Sequence, residues 1–224
     1  MKFVIGLDVD EVLFRTSAME QDYSDSRMAE DGYIVKDGMM YKGDTCIGES
    51  NSLAAVKIWH RYDMLYPPTD AYADSKYVDQ SAVKAVKQCL ADHTDWEFVV
   101  ITSRASLNHV DAEDLSKTQR SKYARVRRGV RDMITQFLPI TRFYFTEQKD
   151  DCMIHNDIDV LVDDCDAFIN AVRSRAGKVG IKRCMNSISC GPQCFYDFAE
   201  LQPLLEGIYT ERMKNSEVRY ASCT

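Results

Sequence analysis

The chain has 224 residues, 45% of them hydrophobic, and a formal net charge of −7. That length suits one sizeable domain or a domain with a small insertion, and the acidic balance argues against a protein that coats nucleic acid over its whole surface. No run of about 18 apolar residues occurs, so no membrane-spanning helix is expected. Met1-Lys2 is followed by only five uncharged residues before Asp8, too few for a secretory signal, and a cytoplasmic protein is expected. The eight cysteines (Cys46, Cys89, Cys152, Cys165, Cys184, Cys190, Cys194 and Cys223) are scattered, and in a chain of this size reduced thiols are the default. Cys184, Cys190 and Cys194 cluster around Gly191-Pro192, but without a C-x-x-C pair an ordinary thiol-bearing loop is expected rather than a zinc site.

Residues 2–8 form an apolar run that predicts a buried strand. It ends in Asp8 and Asp10, two carboxylates spaced to leave a strand on the same side. Residues 16–74 read as an insertion: a polar helical stretch, then Tyr33 to Tyr41 with Asp37-Gly38 at its centre, a two-residue hairpin signal. Ser50-Asn51-Ser52 can then cap a helix through Trp59 to Leu65, stopped by Pro67-Pro68. Beyond it, strands are predicted at 97–102, 141–146 and 158–163. Helices are predicted at 75–92, at 112–137 with Tyr123, Val126, Val130, Ile134 and Phe137 on one stripe, and at 166–175, ending at Gly177. Strands alternating with helices predict an α/β fold with a doubly wound parallel sheet, a Rossmann-like core made of 1–15 and 75–213. A small cap, 16–74, is inserted after the first strand, and 214–224 reads as a loose polar tail.

In such sheets ligands bind at the carboxyl ends of the strands, and here each end brings a reactive group. The first strand delivers Asp8 and Asp10, and the strand at 97–102 delivers Thr102 and then Ser103 and Arg104. Lys149 follows the strand at 141–146, and the strand at 158–163 delivers Asp163 and Asp164. Acids, hydroxyls and an ammonium in one place suit a phosphoryl group with a divalent cation, because hard carboxylate oxygens bind Mg2+ and the donors neutralise phosphate oxygens.

With Asp8-Val9-Asp10, Thr102, Lys149 and Asp163-Asp164 in this order, the sequence resembles the haloacid dehalogenase superfamily of phosphohydrolases. The resemblance covers nearly the whole chain. It implies that Asp8 is the nucleophile that becomes an aspartyl-phosphate, and that Asp10 protonates the leaving oxygen and then activates water. Thr102, Ser103 and Lys149 would bind the phosphate. Mg2+ would be held by Asp8, the Asp10 carbonyl and Asp163, with Asp164 near the metal's waters. Thr102-Ser103, the adjacent acids and the insertion look most like the 5′(3′)-deoxyribonucleotidases. That likeness implies (deoxy)nucleoside monophosphates as substrates, although Glu11 stands where a glycine is common and a hairpin is not part of the all-helical cap such enzymes carry.

In the cap, Trp59 and Tyr62 are the aromatics expected to meet a base. A second feature pulls toward polynucleotide: Lys117 to Arg131 contains seven cations (Lys117, Arg120, Lys122, Arg125, Arg127, Arg128, Arg131) and no acid. A polynucleotide 3′-phosphatase is therefore the alternative enzyme. A phospho-regulatory domain without turnover is the alternative of another class. It is disfavoured because Asp10 would have no work there.

Overall fold

The computed structural model describes residues 2–50, 52–55, 57–58, 74–106, 117–185 and 193–221. In chain order the elements are β1 (Phe3–Leu7), α1 (Thr16–Glu30), β2 (Tyr33–Lys36), β3 (Met39–Lys42) and β4 (Thr45–Glu49). They continue with α2 (Gln80–Asp92), β5 (Trp96–Thr102), α3 (Lys117–Phe137), β6 (Phe143–Phe145) and α4 (Lys149–His155). The last are β7 (Val160–Asp163), α5 (Asp166–Ala171), β8 (Val179–Arg183), β9 (Cys194–Phe195) and α6 (Leu201–Ala221).

Six strands form a sheet in the order β6-β5-β1-β7-β8-β9, with every pairing parallel. The period-2 alternation of β1 divides its side chains between two cores. Phe3, Ile5 and Leu7 join one face with residues from α2, α3 and α6, while Val4 joins the other with Met153 of α4 and Val172. Both faces are thus covered, which is why β1 is apolar at every position rather than alternating. This is the doubly wound α/β sheet expected from the sequence.

The insertion folds as a three-stranded antiparallel sheet in the order β2-β3-β4. Its first turn is the expected hairpin: Asp37 and Gly38 have φ of 51° and 75°, the left-handed pair that a two-residue turn of matching twist requires. Met28, Met40 and Ala55 form its small core, with Tyr33, Ile47 and Ile58 packed around them. Trp59 and Tyr62, and most of the helix expected through Leu65, lie outside the described residues.

Several boundaries differ from expectation for local reasons. The helix expected at 75–92 begins only at Gln80, because the Asp79 carboxylate caps it by accepting from the Ser81 and Ala82 amides at 2.9 and 3.2 Å. The helix expected at 166–175 is α-helical to Ala171, widens into a π-turn over Val172–Ala176, and stops at Gly177 with φ 59°. Residues 214–221, expected as part of a loose tail, continue α6.

Gly6 is the close-approach point of the central strand. A Cβ there would sit 2.6 Å from Ile101 Cδ1 of β5, and Ile101 is fully buried. Gly6→Val should therefore lower unfolding stability by about 1–3 kcal/mol, the usual cost of overpacking, as a reduced urea midpoint at unchanged slope.

Candidate active site

The parallel register sets the strand ends level. β1 stops at Leu7, and the Asp8 amide still donates to the Val162 carbonyl of β7 at 2.9 Å. That bond brings Asp8 beside Asp163, the last residue of β7. Lys149, the first residue of α4, reaches both: its Nζ lies 2.6 Å from Asp163 Oδ2 and 3.0 Å from Asp8 Oδ1. It also sits 4.3 Å from the centre of the Phe168 ring. Asp8, Lys149 and Asp163 are all buried, at 3%, 0% and 0% exposure. Asp163 Oδ1 is occupied differently, accepting the Cys165 amide at 2.9 Å.

Burial raises the Asp8 carboxyl from the ordinary 3.8 to about 7; Lys149 opposes the shift, while Asp163 and Asp10 add to it. Burial also works against the Lys149 ammonium, but Asp8 and Asp163 outweigh it and hold its pKa above the ordinary value. Asp164, half-buried, is raised to about 6 by burial and by its neighbour Asp163. Ligand oxygens of Asp8, Asp163 and Asp164 lie within 4.8 Å of one another. Asp8 Oδ1 is buried and accepts no well-aligned hydrogen bond, despite the nearby Lys149 ammonium. A trio of carboxylates offering only oxygen ligands fits a hard divalent cation such as Mg2+.

The second acid of the D-x-D pair does something the spacing did not predict. β1 ends at Leu7, so Asp10 lies beyond the strand, just before the turn at Glu11 with φ 55°; it is not one of the clustered acidic trio, although its charge adds to the rise in the Asp8 pKa. Its carboxylate accepts from Thr16 Oγ1 at 2.8 Å and from Arg104 through Nε at 3.0 and 3.1 Å and Nη2 at 2.9 Å. Arg104 also reaches Glu20 Oε1 at 3.3 Å. Glu11, where the resemblance has glycine, turns its carboxylate onto the Ser17 amide and caps α1. Arg104 and Thr16 are functional candidates that sequence reasoning did not single out. The signal for Arg104 was its place directly after Thr102-Ser103.

Thr102 is fully buried, and its hydroxyl accepts the Arg104 amide at 3.1 Å, which leaves its own hydrogen free to donate. Ser103 is half-buried on the loop that follows. The strand ends of β5, β1 and β7 therefore carry Thr102, Asp8 and Asp163, with Lys149 joining the two acids. For the three cysteines, Cys184 is buried and Cys194 half-buried, while Cys190 lies outside the described residues.

No family model matches the sequence, and no curated protein does. Among solved structures the chain is similar to a HAD-superfamily hydrolase of subfamily IA, variant 1, from Geobacter sulfurreducens, at 11% identity and TM-score 0.47, covering 91% of this chain and 100% of that one. It is also similar to a HAD hydrolase of family IA, variant 3, from Entamoeba histolytica, at 12% identity and TM-score 0.45, covering 92% and 100%. A third is CbbY from Rhodobacter sphaeroides in complex with phosphate, at 13% identity and TM-score 0.44, covering 90% and 96%. At such identity and TM-score, chemistry has to be read from this chain's own side chains. Among the described residues no helix is long and apolar enough to cross a membrane.

The raised Asp8 pKa has a definite sign for stability. The folded protein favours the protonated carboxyl more than the unfolded chain does, so this contribution is full below pH 3.8 and is lost as pH rises through about 7. Without metal, wild type should lose stability between pH 4.5 and 8, and Asp8→Asn should lose less. Urea unfolding in EDTA at the two pH values checks this, and Mg2+ at pH 8 should raise the wild-type midpoint more than that of Asp8→Asn.

Proposed function

We propose that the protein is a Mg2+-dependent phosphomonoester hydrolase working through an aspartyl-phosphate on Asp8, with (deoxy)nucleoside monophosphates as substrates. The observation that carries this reading is the buried Asp8–Lys149–Asp163 arrangement, with ligand oxygens of Asp8, Asp163 and Asp164 within 4.8 Å of one another.

An Asp8 oxygen attacks phosphorus and the bond to the leaving oxygen breaks, so one difficult displacement becomes two easier ones. Lys149 and the Thr102 hydroxyl hold the phosphoryl oxygens, with Ser103 beside them. Asp10 gives a proton to the leaving oxygen. It then takes one from the water that attacks phosphorus and frees Asp8. Arg104 and Thr16 fix where the Asp10 carboxylate stands while it does so. Asp8, the Asp10 carbonyl and Asp163, with Asp164 alongside, would hold a divalent cation, whose charge would offset the repulsion between carboxylate and phosphate. The nucleotide assignment is supported by the motif resemblance and by a cap inserted directly after Asp10, where it can select the leaving group. In that reading Trp59 and Tyr62 face the base, in the cytoplasm.

EDTA should abolish hydrolysis of nucleoside monophosphates, and Asp8→Asn should do so even with Mg2+ restored. Undiminished turnover in either case overturns the mechanism. Asp10→Asn should keep substrate binding and lose about 100-fold or more in kcat, the scale of a lost acid–base group. Trp59→Ala and Tyr62→Ala should raise KM for a nucleotide far more than for p-nitrophenyl phosphate, since stacking is worth about 1–3 kcal/mol per base.

A further inference from the structure

β6 closes one edge of the sheet, and its three residues, Phe143, Tyr144 and Phe145, are all only half-buried. Among the described residues β6 pairs only with β5, and three consecutive aromatics at such an edge are a liability unless something covers them. A groove of about 520 Å³ lies there, between Arg127 and Arg131 of α3 on one side and Cys152, His155 and Asn156 of α4 on the other. The two arginines are pre-placed. Arg127 sits 5.3 Å from the centre of the Phe145 ring and Arg131 5.3 Å from the same ring and 6.0 Å from Phe143. Arg127 is further tied by Nε to the Ala105 carbonyl at 2.9 Å. Aromatic faces and this tie restrict the long side chains, so less rotamer entropy remains to be lost when they take a ligand.

On the α3 side the charge around the groove is basic. Residues 117–131 contain seven cations and no acid, and Arg120, Arg125 and Arg128 are exposed on the same helix. One carboxylate, Asp151, is among the groove-lining residues. Arg127 and Arg131 are one helical turn apart, about 6 Å along the axis, so they present two guanidinium forks in succession. Repeating anions joined by an extended backbone match that array, and Tyr144 and His155 offer rings beside it.

We propose that this groove holds the sugar–phosphate backbone of a single-stranded polynucleotide, with Arg127 and Arg131 each taking a phosphate. The groove adjoins the strand ends that carry the candidate site: Gln148 lines it and the next residue is Lys149, while the Thr146 amide, also of the lining, donates to the Thr102 carbonyl at 2.8 Å. The inference rests on the phosphatase reading only in its consequence, which is that the terminal phosphate of a bound strand joins the substrate class.

The test uses a fluorescent oligothymidylate with hydroxyls at both ends, so that binding is read with no phosphomonoester present. Anisotropy titrations across 50–200 mM salt should give log K falling with log salt by about 0.7 for each phosphate neutralised. Arg127→Gln with Arg131→Gln should weaken binding at least tenfold and flatten that slope by about 1.4. Arg131→Lys should retain most of the affinity and Arg131→Glu should lose it, which keeps the test valid should the double variant fail to fold. Binding that is flat in salt, or unchanged by charge reversal at Arg131, overturns the proposal. Competition by poly-glutamate as strong as by unlabelled oligonucleotide also overturns it, in favour of an acidic peptide. Salt-dependent oligonucleotide binding alongside an enzyme inactive on every phosphomonoester would remove the phosphatase reading and leave the groove standing.

Discussion

The buried lysine between two buried acids is the constraint around which the strand ends are arranged. Lys149 has no solvent exposure, and its ammonium lies within 3.0 Å of Asp8 and Asp163. Taking three charges out of water is costly, and their mutual attraction offsets that cost only when the geometry is close. The parallel pairing of β1 with β7 supplies the geometry by setting Asp8 beside Asp163, and α4 begins with Lys149 pointing between them. Net charge decides what remains. One cation between two carboxylates leaves a negative site, which burial expresses as the raised Asp8 and Asp164 pKa values. The three carboxylates Asp8, Asp163 and Asp164 could hold a divalent cation there.

Most of this was legible because it is written in strand ends. Buried parallel strands are continuous apolar runs, and a polar residue that interrupts such a run marks where the strand meets the ligand face. Asp8, Thr102 and Asp163 are all of this kind. The elements that were missed lack that contrast. β8 reads Val179-Gly-Ile-Lys-Arg183, its apolar residues diluted by two cations, and β9 is only two residues long. Both are strands because the sheet edge offers partners: β8 pairs with β7, and β9 with β8. α6 was hidden in its second half by composition, since residues 214–217 are all polar and Arg219 follows, with only Val218, Tyr220 and Ala221 interrupting the polar stretch. The helix continues through them from a half that packs Leu201 and Leu205 into the core.

The D-x-D spacing was informative about residue type and silent about the partners that hold the second acid. Two carboxylates at i and i+2 share a side only while the chain stays extended, and it stays extended only to the start of the pair. The strand ends at Leu7, the chain turns with positive φ at Glu11 just past the pair, and the partners that fix Asp10 come from 6 and 94 residues further along the chain. No local pattern announces contacts of that range. Arg104 is the instructive case: its sequence neighbours place it at the site, but only the fold shows that it clamps the other acid.

The first helix gives the molecule a mechanical property that neither core would have alone. Near its start, α1 holds Thr16 on Asp10 and Glu20 on Arg104, and Met19 is sunk in the main core. At its far end Met28 belongs to the small core of the inserted sheet. A helix of fifteen residues is a stiff rod, about 22 Å long. Displacement of the inserted sheet is therefore delivered by a lever to the hydroxyl and the ion pair that set the Asp10 carboxylate. The inserted sheet and the partners of the Asp10 carboxylate are thus joined through one helix.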